Sequence, residues 1–245
     1  MSTRRLYWGD EAAAQVCGGL SFFSAILAIQ GDAVALAASG FFPGGGGQPA
    51  DLGELIIDGQ RLAVTEVEAD QAGQIWHRLG TSAGLLPGQR VQGQIDGARR
   101  HALSRQHTAL HVLNAIAMQD FGAWITGCQV GTETSRIDFK VEAPLAEFAQ
   151  ALIARAGAVI AADLLVSAHW VDESDFSADC VRTLEARPPA IGGRVRVVEI
   201  AGFDRQACGG THASRTGELG SLSLVRTENK GRNNKRLYVR LDRSA

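Results

Sequence analysis

Two segments of this chain hold side chains that can do chemistry together: His107-Thr108-Ala109-Leu110-His111 and Cys208-Gly209-Gly210-Thr211-His212. Each presents two metal-competent donors at i and i+4. Together they supply His107, His111, Cys208 and His212, a set that suits one tetrahedral zinc ion per chain. A mixed Cys/His set disfavours hard cations, and no iron–sulfur spacing is present. The first pair lies in Ser104 to Ala115, where apolar residues recur at helical spacing. Residues i and i+4 share a helix face, so both imidazoles reach one ion. The second pair brackets two glycines, which let the backbone turn tightly enough for thiolate and imidazole to converge. Either pair alone would pass for a helix-face histidine pair or a loop cysteine. Both together, among only six histidines and four cysteines, are a poor coincidence.

The elements that must position these donors are legible in outline. Up to about Ile95, short apolar runs alternate with turn signals: Gly31-Asp32, the glycines at 44–47, Asp58-Gly59, Ala72-Gly73 and Pro87-Gly88. That pattern predicts a small N-terminal β-barrel or sandwich over 1–95, with Phe22 to Leu36 as buried strands joined at Gln30-Gly31-Asp32. From Asp96 the chain changes character. A helix carries His107 and His111 to about Phe121, and a strand follows through Arg136-Ile137-Asp138-Phe139. Pro144 opens a second helix with Leu145, Phe148, Leu152, Val159 and Ile160 as its apolar set. Leu164 to Val171 and Arg194 to Ile200 alternate like strands, Asp172 to Leu184 reads as helical, and Leu219 to Leu241 as a hairpin turned at Asn229-Lys230-Gly231. The expectation is an α+β protein: a barrel-like domain over 1–95 and an α+β domain over 96–245.

Bulk composition excludes several classes. Of 245 residues, 45% are hydrophobic and 20% charged, as in ordinary globular proteins. The formal net charge of -2 argues against a polybasic binder, so any nucleic-acid contact is a local patch. Four cysteines without paired spacing suit a reducing, cytoplasmic compartment in which a zinc thiolate survives. Ala12 to Ile29 follows Arg4 and Arg5 but is interrupted by Gln15, Gly18, Gly19, Ser21 and Ser24, so neither a leader nor a membrane span is expected. No obligate protein partner is evident.

In the order FFPGGGGQPADLGEL, HTALH, RIDF, CGGTH, the chain resembles the free-standing alanyl-tRNA editing hydrolases of the AlaX type. These are related to the editing domain of alanyl-tRNA synthetase, with a similar module in threonyl-tRNA synthetase. The glycine-rich segment narrows the resemblance to members that keep the small N-terminal barrel. The resemblance implies hydrolysis of the ester joining serine, and in some members glycine, to alanine tRNA, with zinc in the pocket that receives the aminoacyl end. Such an enzyme has a physical reason to exist. A pocket for alanine discriminates against serine or glycine by only about 1–3 kcal/mol, so a second site must hydrolyse the mistakes.

The remaining candidates take their roles from that resemblance. Gln129 and Thr211 are the candidate catalytic side chains: Gln129 to hydrogen-bond the serine hydroxyl or the ester, or else to face solvent from an edge strand; Thr211 to donate to the thiolate or the substrate. Gly45, Gly46, Gly47 and Gln48 would shape the amino-acid site, Ser39 would gauge the amino acid, and Thr108 would line it or pack. In Ser39 and Phe42 the chain departs from the usual threonine and tyrosine of the family. Asp138 is a candidate to orient an imidazole, or a strand-end ion pair. Arg232 and Arg236 head a cationic hairpin, Arg226, Lys230, Lys235, Arg240 and Arg243 included, that could hold acceptor-stem phosphates of a mischarged alanine tRNA. Two other functions fit the same residues: zinc-dependent hydrolysis of a different aminoacyl ester, or tRNA binding around a structural zinc.

Overall fold

Glycine and aspartate turns cut the chain up to Ile95 into nine strands among the described residues. These are β1 (Arg4–Arg5), β2 (Ser21–Gln30), β3 (Ala33–Leu36), β4 (Ala38–Ser39), β5 (Gly53–Ile57), β6 (Gln60–Val64), β7 (Glu66–Ala69), β8 (Ile75–Arg78) and β9 (Arg90–Ile95). The computed structural model describes residues 2–13, 15–183, 190–231 and 233–242. Seven of these strands pair antiparallel in the order β6-β5-β9-β2-β3-β8-β7. The edge strands β6 and β7 are consecutive in the chain, separated only by Thr65, and no ladder joins them. The expected barrel is therefore a curled antiparallel sheet. Its buried face gathers Phe22, Ile26, Val34, Leu36, Phe41, Leu55, Ile75 and Val91. β3 is buried throughout, but β2 alternates, leaving Phe23 78% exposed.

Asp96 then caps a long helix, α1 (Gly97–Phe121): its side chain accepts from the Arg99 N–H at 3.0 Å, and the helix stops at Gly122, whose φ of 60° suits glycine. Strands β10 (Trp124–Gln129) and β11 (Thr134–Lys140), helix α2 (Leu145–Ala161) and strands β12 (Val166–Asp172), β13 (Arg194–Ile200), β14 (Asp204–Ala207), β15 (Ser221–Asn229) and β16 (Asn234–Asp242) follow. They form a four-stranded sheet, β10-β11-β16-β15, and a three-stranded one, β12-β13-β14, all antiparallel. Leu103, Leu113 and Ile116 of α1 and Phe148 and Leu152 of α2 join Ile137, Phe139, Leu237 and Val239 of the larger sheet in one core. The architecture is α+β, as expected. One expected helix is absent. Over Asp172 to Leu184 the chain makes two 3₁₀ turns, Glu173–Asp175 and Ala178–Cys180, and the Ser177 hydroxyl caps the second by accepting from Asp179 N–H; Leu184 lies outside the described residues. Serine bonds neighbouring backbone in turns, and here the Ser177 cap holds a 3₁₀ turn in place of the expected helix. Among the described residues no helix is long and apolar enough to cross a membrane.

A buried ion pair joins the two halves. Arg100, in the first turns of α1, holds Asp51 through Nε at 3.0 and 3.1 Å and through a second guanidinium nitrogen, and also donates to the Gly40 carbonyl at 2.7 Å. Asp51 in turn accepts from the Phe42 N–H at 2.6 Å. Neither side chain is more than 2% exposed.

The curled sheet buries one titratable group completely. The His77 Nδ1–H donates to the Val34 carbonyl at 3.2 Å, and its Nε2 accepts from the Ser39 hydroxyl at 2.8 Å. Burial lowers its pKa to about 4. An unfolded histidine titrates near 6.5, so the unfolded chain binds the extra proton first as pH falls. This contribution to stability is complete above pH 6.5 and is lost as pH drops towards 4, amounting to about 3 kcal/mol. Urea midpoints at pH 7.5 and 5 should differ less for His77→Gln than for the wild type.

Candidate metal centre

α1 is long enough to carry two full contacts with the rest of the protein on one face. Arg100, Ser104, His107, Thr108 and His111 follow at helical spacing, and all are buried. Their partners come from two loops that are remote in sequence. The CGGTH turn leaves β14 and brings Cys208 and His212 over this face. The ligand atoms of His107, His111, Cys208 and His212 all lie within 4.8 Å of one another. The Cys208 Sγ is 3.6 Å from His107 Nε2 and 3.3 Å from His212 Nε2. A tetrahedral zinc, about 2.3 Å from sulfur and about 2.0–2.1 Å from nitrogen, would hold those atoms about 3.6 Å apart. The donor set and its spacing fit a metal ion.

The hydrogen bonds behind the rings leave the right nitrogens free. The His107 Nδ1–H donates to Gln48 Oε1 at 2.8 Å, directing Nε2 to the cluster. The Thr108 hydroxyl gives its single proton to the Ser104 carbonyl at 2.9 Å, so towards His212 Nδ1, 3.1 Å away, it accepts, and His212 Nε2 is likewise free. Such partners fix tautomer and ring orientation. Burial is the main cause that keeps all three imidazoles neutral: His111 falls to about 3, with Arg182 and Arg196 adding, and His107 and His212 fall well below the ordinary value, with neighbouring histidines and Arg196 adding. Burial pushes the Cys208 thiol up, opposed by the Gly210 N–H and Arg196, so an arriving metal must displace its proton.

The glycine-rich loop forms the other wall. Gly44, Gly45, Gly46 and Gly47 all have positive φ, between 59 and 133°, and Gly45 and Gln48 exchange backbone hydrogen bonds. The Gly47 carbonyl accepts from Val130 N–H at 2.8 Å, and the Cys128 thiol donates to the Gly46 carbonyl at 3.4 Å. A Cβ on Gly47 would lie 2.7 Å from the Cys128 sulfur and 2.8 Å from its carbonyl oxygen. The loop therefore lies directly on β10.

The other expected site residues fall in different places. Gln48 is buried, and besides His107 it bonds Thr211 through both its Nε2 (2.9 Å, to the hydroxyl) and its Oε1 (3.1 Å, from the N–H). Thr211 is fully buried with its hydroxyl engaged by Gln48 and Ser104, behind His107. Thr108 is fully buried behind His212. Gln129 is exposed at the end of β10, in register with Arg136. Ser39 has its hydroxyl committed to His77 and the Phe41 N–H within the curled sheet. Asp138 pairs bidentately with Arg236 at 2.7 and 2.8 Å and orients no imidazole. Arg226 pairs with Glu228 and stacks over Tyr238, and Arg240 pairs with Asp242, so much of the hairpin's charge is balanced within the sheet. Arg232 and Arg243 lie outside the described residues. Spacing alone did not single out Ser104, Trp8 and Arg196, which all touch the CGGTH turn.

Two variants test this geometry. Gln48→Leu should weaken zinc binding about 10- to 100-fold, read by chelator competition, because His107 loses the acceptor that orients it. A Cβ on Gly210 would sit 2.3 Å from His107 Cε1, whereas one on Gly209 would meet nothing within 4 Å. Gly210→Ala should be purified without metal, and Gly209→Ala should keep it.

The site and fold have named relatives. Residues 195–238 match the family described as the threonyl and alanyl tRNA synthetase second additional domain, and residues 4–99 match class II (A) tRNA synthetases. The alanyl-tRNA editing protein AlaX-M of Saccharolobus solfataricus is 36% identical over 239 residues, covering 96% of this chain and 98% of its own. Its counterpart in Methanosarcina acetivorans is 37% identical over 85% of this chain and 88% of its own length. The alanine–tRNA ligase of Methanothermobacter thermautotrophicus is 33% identical over 85% of this chain, which corresponds to 24% of the ligase. With identity at this level across nearly the full length of both chains, the protein belongs to the family of alanyl-tRNA editing proteins AlaX-M.

Proposed function

We propose that this protein is a trans-editing deacylase that hydrolyses the ester of serine, or glycine, wrongly attached to alanine tRNA, with one zinc ion per chain held by His107, His111, Cys208 and His212. The observation that carries the reading is the convergence of those four donors beside the glycine-rich loop in a member of this family. A division at about Asp96 into an N-terminal unit and an editing unit is supported by two separate hydrophobic clusters, although Val16 joins the second.

In the reaction a water oxygen adds to the ester carbonyl carbon, the bond from that carbon to the terminal ribose oxygen breaks, and that oxygen leaves as a hydroxyl. Zinc, when bound, supplies positive charge beside the developing oxyanion or the attacking water. The chain's own part is placement. Gln48 and Thr108 orient His107 and His212, and the glycine loop presents backbone in place of side chains where it packs against Cys128. Gln129, exposed at the end of β10, would hydrogen-bond the serine hydroxyl or the ester. Arg236 and Arg232 would approach the acceptor stem, with Arg236 first having to share its Asp138 partner. Ser39, whose hydroxyl is held by His77 and the Phe41 N–H, would influence the amino-acid site only indirectly.

A second reading has one observation in its favour. Four protein donors can close a tetrahedral site, which is the usual structural arrangement, so the protein could bind tRNA around a structural zinc. Release of serine from Ser-charged alanine tRNA, with Ala-charged tRNA as control, separates the two. The deacylase releases serine only, and His107→Ala/Cys208→Ala reduces release to the uncatalysed background while the chain stays folded. A folded, zinc-loaded protein that releases nothing, and unfolds on chelation, has the structural zinc.

A further inference from the structure

We propose that Arg196 and the N-terminal segment from Trp8 to Val16 are positioning elements that hold the CGGTH turn in its ligating shape. The inference rests on the metal reading of the four donors above. A turn with two adjacent glycines has little shape of its own and loses much conformational freedom when fixed. Here three carbonyls and three N–H groups of the turn have partners from elsewhere. The buried Arg196 side chain donates to the Cys208 and Gly210 carbonyls, both at 2.9 Å, and to the Val16 carbonyl at 3.2 Å. The Arg196 carbonyl accepts from the Cys208 N–H at 3.0 Å. The intervening Gly209 carbonyl accepts from the Trp8 indole N–H at 2.8 Å. The Val16 carbonyl also accepts from the His212 N–H at 3.3 Å, and the Thr211 N–H donates to Gln48.

Three successive carbonyls and both metal-ligand N–H groups are thus tied to β13, to the N-terminal segment, or to both. Trp8 and Glu11 are themselves held: Trp8 packs edge-on against Trp170 with centroids 4.8 Å apart, under the Arg5 guanidinium, and Glu11 pairs with Arg194 at 2.5 Å. Arg196 bonds main-chain carbonyls in place of a carboxylate, and the thiolate of a loaded Cys208 would be the anion beside it. A planar fork of five donors reaches three carbonyls at once, which an ammonium on a flexible stem does not.

The test is zinc affinity of the full chain by chelator competition, with melting temperatures of the metal-free and zinc-loaded forms. Arg196→Lys should weaken zinc binding about 10- to 100-fold, and Trp8→Phe, which keeps a ring and removes the N–H, by a smaller factor. For Trp8→Phe the metal-free melting temperature should stay at the wild-type value while the zinc-induced rise shrinks. That combination separates positioning of the turn from general stability. Trp8→Phe decides the matter if Arg196→Lys does not fold. Wild-type zinc affinity in the folded variants overturns the inference. A wild type that binds no zinc overturns instead the metal reading beneath it.

Discussion

The buried pair of Asp51 and Arg100 is the constraint on which the rest of the site depends. It fixes the far end of the glycine-rich segment against the first turns of α1, and Gln48 lies only three residues before Asp51. With Arg100 satisfied by Asp51 and the Gly40 carbonyl, and Asp51 by the Phe42 N–H, neither charge is stranded. Removing one partner of such a pair costs about 3–5 kcal/mol, because the other is left buried and uncompensated. The value of the pair here lies in register. It places the loop two helical turns ahead of His107, where Gln48 can meet that ring.

The same face of α1 reads both loops in turn. Arg100 takes Asp51, Ser104 takes Thr211, His107 takes Gln48, and Thr108 takes His212. The ligands therefore have neutral partners, an amide and a hydroxyl, where carboxylates are a common alternative. With one thiolate among the four donors, a divalent ion would keep a net positive charge, and Arg196 adds to it. An environment of that sign favours an oxyanion as it develops.

The curled sheet contributes less chemistry than shape. Its Ser39, His77 and Phe41 satisfy one another inside it, and its glycine loop reaches out to lie on β10 at Cys128. Backbone can approach there only because no Cβ intervenes at Gly47. The opposite face of the larger sheet carries Arg136, Arg226, Arg236, Arg240 and Tyr238, with Asp138, Glu228 and Asp242 among them. A mixed surface of this kind gives weak, local attraction for phosphate rather than a strong field, in keeping with the net charge of the chain.

What the sequence determined by itself was local. The i, i+4 donors of His107 and His111, the Asp96 and Gly122 ends of their helix, the hairpin at Asn229 to Gly231 and the turn-forming glycines all express preferences that act within a few residues. Asp172 to Cys180 shows the limit, because an expected helix gives way there to two 3₁₀ turns, the second capped by Ser177. Tertiary structure alone decided what each donor's second partner is. Gln48 read as a residue for the substrate and Thr211 as a donor to the thiolate or the substrate, and both are buried behind His107; of its two readings Asp138 takes the ion pair, with Arg236; and Arg196 and Trp8, unmarked by any spacing, bond the CGGTH turn. The physical reason is that a buried polar group must find a partner wherever the packed chain offers one. Those partners here lie up to 180 residues away along the chain, as from Arg196 to Val16, so no sequence period can encode them.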